Sequence, residues 1–333
     1  MVSTFRPMRI EGTGVALPET VRLSSEIDRQ LGLPDGWLFR RTGVFSRRVA
    51  DDEDQVDLAV RAAAAALEDA GRAASELDLV LFAAAVPYQT IPATAPLIQR
   101  RLGVAEGAAA AFDINSTCLS FLSAVDVLAS LLGSGRYRRG LVVSAEIASR
   151  ALPWETAPAT AGLFGDGAAA AVLSAGSGDA GVVAAAMETY PSGYEACRLG
   201  AGGTRYDFAR DPEDFARNAM FEMEGEALFR LTLRAFPGFL DRLLGQAGWR
   251  RADVELVVPH QASPGALAHL ARKSGFGRAV VIDIMREHGN QIAASLPSAL
   301  HAARQAGRLP PGTRVLMLGT SAGVSLGGLA LVS

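Results

Sequence analysis

The sequence predicts an α/β protein made of two copies of one unit. Segments rich in Val, Leu and Ala alternate with helical stretches, for example LDLVLFAAA from residue 77, then PLIQRRLG, then GLVVSAE. This alternation is typical of a largely parallel sheet covered by helices. Two pairs of segments also repeat along the chain. The chain has 333 residues, of which 49% are hydrophobic, and is therefore long enough to bury a substantial core.

The first repeat aligns residues 66–82, ALEDAGRAASELDLVLF, with residues 243–259, LLGQAGWRRADVELVVP, without gaps. In each copy a helix ends at Ala-Gly, and an acidic residue and a buried strand follow. A glycine in this place is typical of a helix end. We therefore predict an N-terminal half of residues 1–175 and a C-terminal half of residues 176–333.

The second repeat places a cysteine at the start of a helix. CLSFLSAVDVLASLLGSGRYRRGLVVS resembles NQIAASLPSALHAARQAGRLPPGTRVLML, with Gly135 matched to Gly307. At this separation Cys118 falls on Asn290, so both are expected to open equivalent helices that meet between the halves. N–H groups at a helix start carry partial positive charge, which predicts a lowered pKa for the Cys118 thiol and a place for an oxyanion.

The residues around Cys118 support a helix start. The run 115–117, Asn-Ser-Thr, supplies N-cap candidates, and an apolar stripe then ends at Gly133. The stripe consists of Leu119, Leu122, Val125, Leu128 and Leu132. The alternative is that Cys118 is a small buried hydrophobic residue, since free cysteine is often buried. Cys197, in YEACRLG, has neither caps nor a helix start and is not expected to be catalytic.

Composition excludes several classes of protein. The formal net charge is −3, and the one basic cluster, residues 136–139, is predicted to be a solvated loop, so neither nucleic acid nor a membrane is an expected partner. The N-terminus lacks a signal-peptide core, and no apolar run reaches the length of a membrane helix. Two cysteines and four histidines are too few for a disulfide framework or an evident metal site. We therefore predict a cytoplasmic protein.

Two histidines are candidates for acid–base or hydrogen-bonding roles. His260 ends the strand VELVVPHQAS, and His288 precedes Gly-Asn at the next predicted helix start. Sites in α/β proteins collect where parallel strands end. Spacing alone leaves both candidates open, whereas His269 and His301 lie on predicted helices and are expected to be structural.

Five motifs together resemble the ketoacyl-acyl carrier protein synthase III enzymes of the thiolase superfamily. They are FDINSTC, LFGDGAAAAVL, VVPHQAS, EHGNQIAASLPSAL and GTSAGVSLGG, in this order, and WLFRRTGVFSRR resembles the family's N-terminal signature. The resemblance runs over nearly the whole chain. It implies a thiolase-like fold, a duplicated five-layered α-β-α-β-α arrangement, which agrees with the repeat found above.

The resemblance implies a catalytic site of Cys118, His260 and Asn290. Cys118 accepts an acyl group from a thioester of coenzyme A or acyl carrier protein, and the backbone N–H groups of Cys118 and Gly323 stabilise the oxyanion. His260 and Asn290 then hydrogen-bond the enolate that decarboxylation of malonyl carrier protein produces. Neither a metal nor a bound cofactor is implied, and His288 becomes structural.

The family's coenzyme A site is matched only in part. Trp37 and Arg41 match its N-terminal tryptophan and arginine, but the second-half arginine aligns with Pro158. The clamp around the adenine is therefore incomplete unless Arg150 replaces that arginine. The first acyl donor could be carried by coenzyme A or by a carrier protein.

Carrier-protein docking and the acyl pocket also depart from the family pattern. A docking arginine aligns with Gly265, although the basic pair Arg272 and Lys273 remains. Ile91 stands where this family reaches into the acyl pocket of the neighbouring subunit of a homodimer. A large aromatic residue there would favour short acyl primers, whereas isoleucine permits longer or branched ones. Relatives that condense without decarboxylation carry a glutamate base at this position, which Ile91 cannot replace.

Three hypotheses follow from the sequence. The first is a decarboxylating condensing enzyme of fatty acid synthesis or a related route, such as polyketide priming or the pimeloyl precursor of biotin. The second is a relative that transfers the acyl group to an oxygen or nitrogen acceptor. The third is a non-catalytic partner subunit, which the presence of Cys118, His260 and Asn290 disfavours.

Overall fold

The computed structural model describes residues 5–277 and 280–333, and its central feature is a nine-stranded mixed sheet. The strands are β1 Arg6–Ala16, β2 Thr20–Leu23, β3 Ser46–Val49, β4 Leu79–Ala83, β5 Ala110–Ile114, β6 Arg139–Glu146, β7 Gly167–Ala175, β8 Gly181–Thr189, β9 Cys197–Arg198, β10 Glu222–Met223, β11 Leu256–Pro259, β12 Arg314–Ser321 and β13 Ser325–Val332. Two short hairpin sheets, β2–β3 and β9–β10, lie outside the large sheet.

The helices cover both faces of this sheet. They are α1 Ser24–Gln30, α2 Trp37–Thr42, α3 Gln55–Ala70, α4 Ala95–Arg101, α5 Ser120–Gly133, α6 Pro158–Ala161, α7 Pro212–Asn218, α8 Gly225–Ala247, α9 Pro264–Lys273, α10 Met285–His288 and α11 Ser295–Gln305. Within the two described ranges, no helix is both long and apolar enough to cross a bilayer.

The large sheet consists of two similar sheets joined at one point. Its order is β11-β12-β13-β8-β1-β7-β6-β4-β5. In the first half β1, β7 and β6 pair antiparallel, and β6, β4 and β5 pair parallel. In the second half β8, β13 and β12 pair antiparallel, and β12 and β11 pair parallel. The two meet only where Arg6 and Pro7 pair with Val182 and Gly181, so the predicted duplication is present in the strand order.

Three hydrophobic clusters give the fold its five layers. The central cluster contains α5 and α11 between the two sheets. One outer cluster packs α3 and α4 on the first-half sheet, and the other packs α8 and α9 on the second-half sheet. The predicted thiolase-like α-β-α-β-α arrangement is therefore confirmed, while the predicted boundary between residues 175 and 176 stays a prediction.

The predicted match of Cys118 to Asn290 is wrong by three residues. Thr117 and Ile292 share the same positive φ of 51°, and Ser120 and Ser295 each begin the equivalent helix. At this separation of 175 residues, Asn290 matches Asn115 and Cys118 matches Ala293. The separation of 172 residues holds only at the far helix end, because α5 has 14 residues and α11 has 11.

Gly14 on β1 marks a close approach of α3 to the sheet. A Cβ atom at Gly14 would lie 2.3 Å from the Ala62 carbonyl oxygen and 2.4 Å from the Ala66 nitrogen. These atoms belong to helix backbone and cannot swing aside, so Gly14→Ala is expected to lower the free energy of unfolding by about 2–3 kcal/mol in a denaturant titration.

Gly245 provides the matched control for this substitution. It is exposed on α8, and a Cβ atom added there would meet no described atom within 4 Å beyond its chain neighbours and the backbone of its own helix. Gly245→Ala is expected to raise the free energy of unfolding by up to about 1 kcal/mol, since alanine favours helix. Equal effects of the two substitutions would contradict the close approach at Gly14.

Candidate active site

Cys118 lies in a short turn that precedes α5. This nucleophile turn, residues 115–120, contains a 3-10 helix over Thr117–Leu119. The Asn115 Oδ1 accepts the Thr117 N–H at 2.9 Å, and the Ser120 Oγ accepts the Ser116 N–H at 2.9 Å. The predicted N-cap residues therefore stabilise the turn, and α5 itself begins two residues after Cys118.

The second half repeats this turn and ends it at Asn290. The Asn290 Oδ1 accepts the Ile292 N–H at 2.8 Å, and the Ser295 Oγ accepts the Gln291 N–H at 2.9 Å. Residues Thr117–Leu119 and Ile292–Ala294 are in contact across the centre of the molecule. The Asn290 amide is 5% exposed and contacts the Ala262 carbonyl oxygen weakly, at 3.4 Å. Its donor nitrogen thus remains available to a substrate oxygen.

His260 is held at the end of β11 beside the nucleophile turn. Its backbone N–H donates to the Leu318 carbonyl at 2.7 Å. Gly319 separates its ring from that turn, because a Cβ on Gly319 would lie 2.9 Å from the His260 Cβ and 2.7 Å from the Leu119 Cδ2. The three predicted catalytic residues therefore converge, with Cys118 from one half and His260 and Asn290 from the other.

The predicted lowering of the Cys118 pKa is wrong. Burial raises the pKa of this thiol, and the neighbouring Cys197 and Glu146 raise it further. The backbone N–H groups of Ala322 and of Cys118 itself lower it, but they do not outweigh desolvation. The resting nucleophile is therefore a thiol, although its side chain is only partly buried.

The second N–H group beside the Cys118 sulfur belongs to Ala322. The residue predicted for this role, Gly323, follows it in the turn between β12 and β13 and has a φ of +77°. This left-handed conformation suits glycine, so Gly323 shapes the turn that directs the Ala322 N–H toward the sulfur. The oxyanion prediction is therefore shifted by one residue.

Cys197 and Glu146 are site residues that sequence reasoning missed. Cys197 lies on β9, and burial raises its pKa to about 11. Its segment packs over the site, since the Tyr190 N–H donates to the Val324 carbonyl at 2.7 Å. Glu146 is the last residue of β6. Neither residue has a motif signal, because each reaches Cys118 only through the tertiary fold.

The predicted coenzyme A and carrier-protein residues lie on two neighbouring helices. On α2, the Arg41 guanidinium is 5.5 Å from the Trp37 ring centroid. Arg272 and Lys273 are exposed in the last turn of α9, and Val44 and Leu267 pack these two helices together.

The substitute proposed for the missing arginine is directed elsewhere. Arg150 donates to the Asp51 and Glu53 carbonyl oxygens, at 3.4 and 2.9 Å. Pro158 begins α6, beside α2. The structure therefore gives no support for Arg150 as the second half of an adenine clamp.

The remaining candidates are separated from the site or are structural. Ile91 is 84% exposed, in the loop of residues 87–94 that follows β4 and is called the Ile91 loop below. Burial lowers the pKa of His288, which ends α10. His301 contacts the Thr13 hydroxyl at 3.0 Å, and His269 lies 6.1 Å from the Phe229 ring. In the part of the chain that the structure describes, no three His, Cys, Asp or Glu side chains are grouped as metal ligands.

Burial lowers the pKa of His260 from 6.5 to about 4. The folded protein therefore resists protonation of this ring, and the stability it contributes is complete above pH 6.5 and is lost as the pH falls toward 4. Between pH 7.5 and pH 5 we expect the difference in unfolding free energy between wild type and His260→Gln to shift by about 2 kcal/mol against the wild type. Urea titrations at the two pH values measure it. A difference that does not change with pH would contradict the lowered pKa.

Two family models match the chain. One, described as 3-oxoacyl-[acyl-carrier-protein (ACP)] synthase III, matches residues 112–191, and its C-terminal counterpart matches residues 244–332. Among curated proteins, the beta-ketoacyl-[acyl-carrier-protein] synthase III 3 of Streptomyces coelicolor is 37% identical over 326 residues, which is 97% of this chain and 96% of that protein. The synthase III of Hyphomonas neptunium is 36% identical, over 96% of each chain.

Solved structures agree with these matches. The 3-oxoacyl-[acyl-carrier-protein] synthase III of Aquifex aeolicus is 32% identical, with a TM-score of 0.88 over 98% of this chain and 100% of that one. OleA of Xanthomonas campestris shares the fold, with a TM-score of 0.85 at 23% identity over 99% of each chain.

Proposed function

Since the chain belongs to the 3-oxoacyl-[acyl-carrier-protein] synthase III family, we propose that it condenses an acyl thioester with malonyl carrier protein to give a 3-oxoacyl carrier protein. The observation that carries this proposal is the convergence of Cys118, His260 and Asn290 from the two halves. A thiol can hold the acyl group, and two neutral donors can stabilise an enolate.

The first half-reaction forms an acyl-cysteine. The Cys118 Sγ attacks the thioester carbonyl, the C–S bond of the donor breaks, and the proton of Cys118 leaves on the thiol of coenzyme A or the carrier protein. The N–H groups of Cys118 and Ala322 hydrogen-bond the oxyanion of the tetrahedral intermediate. Acylation also replaces a thiol that burial makes hard to ionise by a neutral thioester.

The second half-reaction forms the new C–C bond. Malonyl carrier protein loses carbon dioxide, and the enolate oxygen accepts hydrogen bonds from the His260 ring and the Asn290 amide. His260 is suited to this because its pKa of about 4 keeps the ring neutral at physiological pH. The enolate carbon attacks the acyl carbon, and the Cys118 sulfur leaves and recovers a proton.

Two surfaces extend the proposal to substrates and assembly. Trp37 and Arg41 are suited to coenzyme A, and Arg272 and Lys273 to an acidic carrier protein. We further propose a homodimer in which the Ile91 loop enters the partner's acyl pocket. The exposed, apolar Ile91 and Phe112, beside the unpaired edge of β5, support it. A sedimentation mass equal to that of one 34.8 kDa chain would contradict the dimer.

Intact-protein mass spectrometry tests the proposed function. The protein is incubated with acyl-coenzyme A and acyl carrier protein donors of varied length, and then with malonyl carrier protein. We expect a mass gain on Cys118 that is discharged with release of carbon dioxide, and the donor that acylates fastest names the primer. A gain that only an alcohol or amine discharges would replace condensation by acyl transfer to oxygen or nitrogen. No gain with any donor would contradict both reactions.

A further inference from the structure

Glu146 is a buried carboxyl next to the site that the proposed reaction does not use. It ends β6 and is 1% exposed. Its Oε1 accepts the Ala85 N–H at 2.6 Å, and the N–H groups of Val86 and Ala293 also donate to the carboxylate. Ala293 is the residue that matches Cys118 in the second half. Glu146 therefore links the chain after β4 to the helix start opposite the nucleophile.

The backbone that Glu146 binds is held by side chains on all sides. Along residues 83–86, the carbonyl oxygens accept hydrogen bonds from Ser144, Ser120, Asn115 and Gln55 in turn. Two of these donors, Asn115 and Ser120, belong to the nucleophile turn. The segment then continues into the Ile91 loop. It is thus a direct connection between the loop assigned to the acyl pocket and the turn that carries Cys118.

The duplicated fold does not require a carboxyl at this place. The same separation of 175 residues that matches Asn115 to Asn290 matches Glu146 to Ser321, and both end the equivalent strand. In the second half the N–H of Ala262, the residue matched to Ala85, donates to the His260 carbonyl oxygen. The unit therefore closes without a buried acid. Since burying a carboxyl is costly, its presence only beside Cys118 points to a role there.

The charge of Glu146 acts on the nucleophile. A negative carboxylate at this position raises the pKa of the Cys118 thiol, as the Cys197 thiol also does. Burial raises the pKa of Glu146 itself to about 8, with Asp166 as a further negative neighbour. The carboxyl is therefore mostly neutral at pH 6.5 and mostly charged at pH 9.

We propose that Glu146 is a positioning residue for the reaction at Cys118, fixing the backbone between the Ile91 loop and the nucleophile turn and restraining ionisation of the thiol by its charge. The role in condensation rests on the function proposed above. The effect on the thiol does not, because it concerns the reactivity of Cys118 without any acyl donor. The two ideas can therefore fail separately.

The test is the pH dependence of Cys118 alkylation by iodoacetamide, measured by peptide mass spectrometry so that Cys118 and Cys197 are counted separately. Glu146→Gln keeps the size of the side chain and removes its charge. We expect this variant to alkylate Cys118 about fivefold faster than wild type at pH 9 and less than about twofold faster at pH 6.5, since a pKa shift of one unit changes the thiolate population about tenfold. A structural role alone would not produce this dependence on pH.

Two further variants separate charge from loop position. Asp113 accepts the Thr94 and Ala95 N–H groups, both at 2.8 Å, at the other end of the Ile91 loop. Asp113→Asn disturbs the same loop away from the nucleophile, and Glu146→Asp retains the charge. We expect both to follow the wild-type profile within about twofold. A Glu146→Gln profile that coincides with wild type, or an equal shift in Asp113→Asn, would overturn the proposal.

If Glu146→Gln does not fold, Glu146→Ser replaces it, because serine is the residue that the second half carries at this position. The same acceleration at pH 9 is expected. The condensation assay is run in parallel on each folded variant. If no donor acylates the wild type, the proposed function fails, while the alkylation profiles still decide the effect of Glu146 on Cys118.

Discussion

Cys118→Ala is expected to abolish the acyl adduct and to lower condensation at least about 1,000-fold, while decarboxylation of malonyl carrier protein stays measurable. The reason lies in the duplicated fold. Alanine removes the only atom that bonds the acyl group, but His260 and Asn290 are held by β11 and by the turn before α11, in the other half. Adduct mass, 3-oxoacyl product and released carbon dioxide are measured on the same preparation.

Cys197→Ala is the matched control for this prediction. It removes the other thiol of the chain, which lies on β9 and influences Cys118 only through space. We expect this variant to keep the adduct and to change condensation by less than about tenfold. An adduct that survives Cys118→Ala, or that disappears in Cys197→Ala, would show that the nucleophile has been assigned to the wrong cysteine.

Much of the fold could be predicted from the sequence because it is repeated. The helix end at Ala-Gly and the following buried strand are local patterns, and they recur around Gly71 and Gly248, which both adopt a left-handed conformation after a helix. The stripe that ends at Gly133 likewise forms α5. Such features depend on neighbours in the chain, so a single sequence contains them.

The register of the second repeat could not be obtained in this way. Gly135 and Gly307 are equivalent turn residues, but the three-residue difference in helix length lies between them and the site. The sequence alignment carried their separation back to Cys118 without that difference. The positive φ shared by Thr117 and Ile292 gives the correct match, and it is a property of the backbone alone.

The electrostatics of the site also depended on the tertiary structure. A helix start predicts a lowered thiol pKa, but Cys118 precedes α5 and is desolvated next to Cys197 and Glu146. These residues are 79 and 28 positions away in the sequence. Burial and through-space charge outweigh the local N–H groups, and neither effect leaves a motif.

Asn290→Asp is expected to leave the acyl adduct intact and to slow decarboxylation about 100- to 1,000-fold, a magnitude typical for loss of one oxyanion donor. An aspartate can still accept the Ile292 N–H through Oδ1, as Asn290 does at 2.8 Å, so the turn before α11 is preserved. The donor nitrogen becomes an anionic oxygen, which repels the enolate that it should stabilise. Mass spectrometry of the adduct and carbon dioxide release after malonyl carrier protein separate the two half-reactions.

The duplication supplies the control for this last substitution. Asn115 makes the same turn in the first half, where its Oδ1 accepts the Thr117 N–H at 2.9 Å and its Nδ2 donates to the Ala85 carbonyl at 2.9 Å. Asn115→Asp therefore costs a similar local hydrogen bond, but it removes no donor from the enolate. We expect it to change decarboxylation by less than about tenfold. Equal losses in the two variants would mean that Asn290 acts through its turn, and the enolate would then need a different donor beside His260.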